Sequence, residues 1–138
     1  MPTYCENRLV VSGNPDDLQP FVRQVQTDEQ PLSFEGIAPT PPELMDEGWY
    51  EWRIEHWGTK WDADFYFGNA SSRITRSKAT YVFYTAWGPP LEWLAYASKQ
   101  HPTLNFRLDY VDEGDFFSGT KEWRKGELVR DQERVHNS

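Results

Sequence analysis

The sequence has 138 residues, a length that fits one domain with its own hydrophobic core. Its net charge of -8 argues against direct nucleic-acid binding, which needs concentrated Lys and Arg, and favours a protein partner with a basic surface. The single cysteine, Cys5, excludes an intramolecular disulfide and fits a reducing compartment. Neither a signal-type segment nor a long apolar run is present, so we expect a cytoplasmic protein that does not enter a membrane.

The first half of the chain predicts a strand, a helix and a second strand. In "YCENRLVVSG", inward residues alternate with polar ones, which is typical of a strand with one buried face; the inward residues are Cys5, Asn7, Leu9 and Val11. A helix follows with apolar residues at helical spacing and with Asn14 or Asp17 as its N-cap; a start after Asp17 would place Pro20 in its first turn. "LSFEGI" (32–37) reads as a short strand, and "APTPPELMDEG" (38–48) as a proline-stiffened loop.

The second half repeats this order. "KATYVFYTAW" (78–87) is apolar on both faces, as a central strand is, and the helix after it should bury a stripe of Leu91, Leu94, Ala95 and Ser98. "TLNFRLDYVD" (103–112) alternates, with Leu104, Phe106, Leu108 and Tyr110 inward. A hairpin with a Lys-Gly turn closes the chain, and "DADFYF" (62–67) should add a strand between the halves.

Two strand-helix-strand halves predict an α+β protein with a ferredoxin-like split β-α-β sandwich. Its antiparallel sheet should carry two helices on one face, with an insertion loop between the halves and a C-terminal hairpin. We expect a single domain over residues 1–130 and a flexible tail over 131–138.

Several short motifs resemble one known family. They are the series Cys5, Asn7, Leu9 and Gly13, the prolines Pro39 and Pro41, "WGTKWDA" (57–63), "TAWGPP" (85–90) and "YVDEGDFFSG" (110–119). Together they resemble the YubB-type ferredoxin-like proteins of phages, plasmids and bacterial genomes. His56 departs from the Asn expected before that tryptophan. The resemblance implies the fold and a mobile-element setting, and it implies no established reaction.

The motifs "WGTKWD" and "TAW" form a candidate ligand site. Tryptophan faces can stack on a planar ligand while Lys60 holds its anionic group. The candidate residues are Trp57, Gly58, Thr59, Lys60, Trp61, Asp62, Thr85 and Trp87. The structural alternative is that the tryptophans anchor the insertion to the core and Gly58 permits a turn.

Acidic clusters are the candidate surface for a basic protein partner. They comprise Asp46, Glu47, Asp64, Asp109, Asp112, Glu113 and Asp115. The last three carboxylates surround a turn, but they lack the twelve-residue pattern of a calcium loop, so we predict a solvated turn and no metal or cofactor. Outward residues of the predicted sheet, including Glu6, Arg8, Arg107 and Asp109, are mixed in sign and lack the aromatic residues of an RNA-binding sheet.

Catalytic signatures are missing from the sequence, since no nucleophile motif, phosphate loop or paired metal-binding histidines occur. His56 and Asp62 are the candidate acid-base pair. The leading hypothesis is a non-catalytic interaction protein of a mobile genetic element that counters a host defence system by binding a protein partner. The alternatives are a protein that binds a nucleotide or another small ligand, and a small hydrolase, either one using the aromatic pocket.

Overall fold

The computed structural model describes residues 4–66, 68–114 and 116–135. The strands in these ranges are β1 (Tyr4–Ser12), β2 (Ser71–Ile74), β3 (Lys78–Ala86), β4 (Asn105–Asp112), β5 (Phe117–Arg124) and β6 (Glu127–Val135). The α-helices are α1 (Pro15–Val25), α2 (Trp49–Trp57) and α3 (Leu91–Gln100), and short 3-10 helices cover Phe34–Gly36 and Pro42–Leu44. The strands form one antiparallel sheet in the order β2-β3-β1-β4-β5-β6.

The predicted fold class is confirmed. The units β1-α1-β2 and β3-α3-β4 interlock so that β1 and β3 lie side by side, as in a split β-α-β sandwich. The C-terminal hairpin of β5 and β6 extends the sheet beyond β4. One sheet face is covered by helices, and the alternation predicted for β1 and β4 is present, with the inward side chains buried.

Aromatic side chains make up much of the core between the helices and the sheet. Phe21 of α1 meets Phe106 of β4 edge to face at 5.5 Å. Phe34 contacts Trp57, Phe83 and Trp93 with centroid distances of 5.1–6.0 Å. Because each aromatic ring buries a large apolar area, the chain builds this core despite few aliphatic residues.

Two predicted strands are wrong. Residues 32–37 contain a 3-10 turn, because the carboxylate of Asp62 accepts a hydrogen bond from the Phe34 amide and holds the segment away from the sheet. The "DADFYF" segment gives only an isolated bridge between Asp64 and Tyr84 in its described part, and Phe67 lies outside the described residues. The second strand of the first half is instead β2, an edge strand with four exposed residues.

The helices also differ in detail from the prediction. Of the two N-caps predicted for α1, Asn14 is the one in the structure: its side chain accepts from the Asp16 amide, the helix begins at Pro15, and Pro20 therefore falls beyond the first turn. Pro20 lies within its second turn, where the missing amide costs one hydrogen bond at most. Helix α2 lies within the segment expected to be an insertion loop. Helix α3 buries Leu94 and Ser98 as predicted, together with Trp93 and Ala97 in place of Leu91 and Ala95.

The C-terminal segment differs from the tail that we expected. Strand β6 continues to Val135, past the expected domain end at residue 130, because residues 131–135 pair with β5. Residues 136–138 lie outside the described part. Across that part, no helix has the length and apolar character needed to cross a membrane.

Candidate functional site

Two of the predicted site tryptophans, Trp61 and Trp87, both contact Lys60 at the surface beside α2. The Lys60 ammonium lies 4.4 Å from the Trp61 ring centroid and 4.1 Å from that of Trp87. Tyr50 of α2 meets Trp87 edge to face at 6.3 Å. We call Tyr50, Lys60, Trp61 and Trp87 the aromatic cluster. Its three rings remain 38%, 40% and 44% exposed, although Tyr50 contacts Trp87 and the two indoles share Lys60, and such a group of large exposed rings is unusual.

The backbone of Trp87 adopts a conformation that only a fixed surrounding can maintain. Its φ is +70°, a left-handed value that is uncommon for a bulky residue. The Thr85 hydroxyl accepts from the Asn7 side chain at 2.9 Å and donates to the Gly88 carbonyl at 2.6 Å. The Gly88 amide in turn donates to the Ala86 carbonyl. These buried bonds hold the turn that directs the indole outward.

The loop that carries Lys60 and Trp61 is fixed from two sides. The buried Thr59 hydroxyl donates to the Ala86 carbonyl at 2.9 Å, which ties the loop to the end of β3. The Arg53 guanidinium donates to the Lys60 carbonyl at 3.3 Å and to the Thr40 hydroxyl at 3.1 Å. Thr59 and Thr85 therefore position the cluster, and their hydroxyls are occupied by backbone partners.

Trp57 belongs to the core and is separated in role from the exposed tryptophans. It is fully buried, its Nε1 donates to the Ala38 carbonyl at 2.9 Å, and its ring packs on Phe34 and Trp52. Gly58 ends α2 with φ +83°, which allows the chain to turn towards Lys60. The idea of one pocket shared by Trp57, Trp61 and Trp87 is therefore wrong, because Trp57 points inward.

The hydrogen-bond partners of Asp62 lie outside the aromatic cluster. Its carboxylate accepts from the Ser33 hydroxyl at 2.5 Å and from the amides of Phe34 and Ala63 at 2.7 and 2.8 Å. Burial raises the pKa of Asp62, although these three donors favour the ionised form. The carboxylate closes the 3-10 turn, which is a structural role.

His56 is held by aromatic neighbours. Its ring stacks on Trp52 at 4.1 Å and on Tyr96 at 5.6 Å, with interplanar angles of 10° and 11°. Its Nδ1 lies 2.7 Å from the Trp52 carbonyl, which can only accept, so Nδ1 is the donor. With Asp62 bonded to Ser33, Phe34 and Ala63, the pair has no shared hydrogen bond in the structure.

The acidic candidates are spread over several parts of the molecule. Asp46 and Glu47 are exposed just before α2. Asp64 accepts from the Tyr66 amide at 2.8 Å while its backbone bridges to Tyr84. Asp109 lies on the sheet face that points away from the helices, so these residues do not form one acidic surface.

The remaining carboxylates have local partners. Burial would raise the pKa of Asp109, but hydrogen bonds from Arg107 and Thr120 outweigh it and lower that pKa. Asp112 is buried and accepts from the Phe116 amide, whereas the Glu113 side chain is exposed. Asp115 lies outside the described residues. In the described ranges, no three His, Cys, Asp or Glu side chains gather as metal ligands would.

Tyr50 is the member of the cluster that the sequence analysis missed. Its position depends on α2, and the proline-rich segment before that helix gave no sign of it. The segment "WYEW" (49–52) is rich in aromatic residues, but nothing in their spacing shows which ring faces β3. The contact arises from the packing of α2 against the end of that strand.

The architecture defines a ferredoxin-like domain, extended by a hairpin and carrying a helix in its central insertion. Residues 56–137 match the family described as "Ferredoxin-like domain in Api92-like protein", and the chain belongs to that family. The solved structure of Api92 from Yersinia pseudotuberculosis is similar, with a TM-score of 0.70, 9% sequence identity and coverage of 100% of this chain and 99% of that one. At this identity the likeness shows the fold alone. No curated protein matches the sequence.

Proposed function

We propose that the protein is a non-catalytic interaction module that binds a basic protein partner through the aromatic cluster. The observation that carries this proposal is the outward display of Tyr50, Trp61 and Trp87 in one contiguous group. Tyrosine and tryptophan are enriched among the residues that contribute most to protein interfaces. Three such rings left in water cost free energy that a partner would recover by covering them.

Acidic side chains close to Tyr50 in the sequence favour a basic partner. Four of them are exposed in the segment leading into α2 and in its first turn, namely Glu43, Asp46, Glu47 and Glu51. Carboxylates around an apolar centre attract Lys and Arg during encounter, and Arg can also stack on an indole face. Association should therefore weaken as salt is raised.

The conformation of Trp87 provides a way to separate binding from folding. A left-handed backbone at a non-glycine residue costs about 1–3 kcal/mol, and glycine would adopt it without this cost. Trp87→Gly should thus leave the protein folded, because the strain it relieves offsets the lost ring contacts. If the tryptophan serves binding, the same change should remove the partner.

The experiment is affinity capture from a bacterial lysate with mass spectrometry, using the wild type, Trp87→Gly and Trp61→Ala. Tyr66→Ala is the matched control, since Tyr66 is 71% exposed and its hydroxyl bonds elsewhere, to the Glu29 carbonyl. We expect a basic protein that the wild type and the control retain and both cluster variants lose. Loss in the control as well, or retention by both cluster variants, would refute the proposal.

A nucleotide-like ligand is the second candidate, because Lys60 places a cation between two indole faces. In the present conformation its ammonium occupies the space that a stacked ring would need, so binding requires Lys60 to move outward towards a phosphate. Mass spectrometry of small molecules released from the purified protein tests this. A nucleotide that is lost with Lys60→Ala would favour the pocket, and its turnover would favour the hydrolase alternative.

We further propose that the partner belongs to a host defence system and that the protein is carried by a mobile element. The support is the resemblance of "WGTKWDA" and "TAWGPP" to proteins of phages and plasmids. Identifying the captured partner tests this directly: a housekeeping protein without a defence role would exclude it.

A further inference from the structure

The sheet face opposite the helices concentrates basic side chains. In an antiparallel pair, residues opposite each other point to the same side, so the strand register defines this face. One row across it runs Arg73, Thr80, Val10, Arg107, Glu122, Arg130. Another contains Ser71, Val82, Arg8, Asp109, Thr120 and Gln132. We call this surface the open sheet face.

The charges of the molecule are unevenly divided between its two layers. Seven of the 14 basic residues lie on the open sheet face, namely Arg8, Arg73, Lys78, Arg107, Arg124, Arg130 and Arg134. Among the acidic residues of the described ranges, only four share it, namely Glu6, Asp109, Glu122 and Glu127. The net charge of -8 therefore averages a basic sheet face with an acidic remainder made of the helices and the loops.

Several of these cations are available to a ligand. Arg107 forms an ion pair with Asp109 at 3.0 Å, and Arg130 forms one with Glu122 at 3.2 Å. Within the described part of the chain, Arg8, Arg73, Lys78 and Arg134 make no ion pair within 4.0 Å. Arg8, Arg73 and Lys78 line a depression of about 400 Å³ with the hydroxyls of Thr75, Ser77 and Thr80.

A second depression of about 390 Å³ lies on the same face near β6 and is lined by Arg130, Arg134, Ser118 and Thr120. The carboxylate of Asp109 also lines it, but this charge is paired with Arg107. Arginine beside hydroxyl and amide groups is the set of donors that proteins present to phosphate and sugar oxygens. Two such depressions on one sheet, which spans about 24 Å at the usual strand spacing, can engage separate phosphates of a long chain.

We propose that the open sheet face binds the phosphate backbone of nucleic acid without stacking on bases. The centre of a protein interface is depleted in charge and rich in aromatic residues. This face has the opposite composition: Val10 and Val82 are its central apolar residues, and both are partly covered. That contrast favours a polyphosphate over an acidic protein.

Acidic side chains on the outer surface of the helices do not cancel the attraction between the open sheet face and phosphate at physiological salt. A helix diameter of about 10 Å separates the sheet from the outer helix surface, and the Debye length at such salt is about 8 Å. Charges on the far side are thus screened at the open sheet face. Binding should be weak, independent of sequence and strongly dependent on salt.

The test is fluorescence anisotropy with labelled 20-nucleotide DNA, single-stranded and duplex, and with labelled polyglutamate. Arg8→Gln/Arg73→Gln should weaken DNA binding about tenfold and lower the salt slope by about two, one for each lost phosphate contact. Arg23→Gln/Lys99→Gln, which changes the net charge equally on α1 and α3, should leave both unchanged.

Circular dichroism confirms that each variant is folded. Equal loss in both double variants, the absence of DNA binding at 50 mM salt, or equal binding of polyglutamate would each overturn the proposal. Preference for duplex or for single strands identifies the form that is bound, and both are consistent with phosphate recognition. Trp87→Gly should not alter DNA binding, which keeps this result separate from the fate of the aromatic cluster.

Discussion

Replacing Trp57 or Trp61 by alanine makes the same chemical change at two positions four residues apart. Trp57 is fully buried, and its indole donates a hydrogen bond to the Ala38 carbonyl. Trp61 is 40% exposed, and its main contact is the Lys60 ammonium. The structure therefore predicts very different losses of stability for the two substitutions.

The Trp57→Ala variant loses the packing of a buried tryptophan, which costs about 3–5 kcal/mol. It also leaves the Ala38 carbonyl without its donor, a loss that overlaps with the first and places the total near the top of that range. Trp61→Ala removes a cation-π contact worth about 0.5–1 kcal/mol and a partly exposed ring, so its cost should stay near 1 kcal/mol. For a domain of this size, about 3–5 °C accompany each kcal/mol.

Urea unfolding followed by far-ultraviolet circular dichroism measures both free energies without relying on tryptophan emission. Trp57→Phe is the milder control, since it keeps an aromatic ring but removes the indole donor. We expect the order of stability to be wild type, Trp61→Ala, Trp57→Phe, Trp57→Ala. A Trp61→Ala loss equal to that of Trp57→Ala would refute the assignment of Trp61 to the surface.

Three further predictions concern individual groups. Burial raises the pKa of Asp62 above its usual 3.8, so the contribution of this carboxyl to stability is present below that pH and is lost as pH rises through the folded pKa. Urea unfolding should therefore show the wild type losing stability relative to Asp62→Asn as pH rises from 3.8, and a pH-independent difference would contradict this. Burial also raises the pKa of Cys5 to about 12, so iodoacetamide at pH 8 should modify the thiol only after unfolding in guanidinium. Intact mass measures the labelling, and rapid labelling of the native protein would contradict the prediction. Gly58→Ala should cost about 1–3 kcal/mol of stability, because the backbone there is left-handed and an added Cβ would meet Glu92 and the Leu91 backbone. Gly88→Ala has open space around it and should cost less than about 0.5 kcal/mol, so equal thermal shifts for the two variants would contradict this prediction.

The parts of the fold that were predictable are those in which one strand face is buried. In β1 and β4 the sheet leaves alternate residues in water, so the chain itself records the alternation. Strand β2 carries no such record, because all four of its residues are exposed at the sheet edge. Helix α2 buries only Trp57 and has no side-chain cap at Gly48, so its sequence shows neither an apolar stripe nor a start signal.

The site was only partly predictable for a related reason. Trp57 and Trp61 are the same residue type on either side of a turn, and the sequence cannot show which one faces the core. That choice is made by contacts from distant segments: Ala38 receives the Trp57 indole, and Arg53 holds the Lys60 carbonyl. The 3-10 turn at Phe34 likewise depends on Asp62, 28 residues away.

The charge of the open sheet face follows from the same kind of long-range pairing. Arg73, Arg107 and Arg130 are far apart in the chain, yet the register places them in one row across the sheet. Each strand alone looks mixed in sign, since Glu6 accompanies Arg8 on β1 and Asp109 accompanies Arg107 on β4, and the excess of basic residues appears only when all six strands are aligned. The net charge summed over the sequence therefore misjudges the charge that a ligand meets at this face.

If local charge governs binding, variants of the open sheet face and of the aromatic cluster should act additively, because side chains without shared partners rarely couple. A combined variant, Arg8→Gln/Arg73→Gln/Trp87→Gly, should then show the DNA affinity of the first pair alone and the partner binding of the third alone. Coupling between the two readouts would mean that the surfaces communicate through β3, the strand that both share.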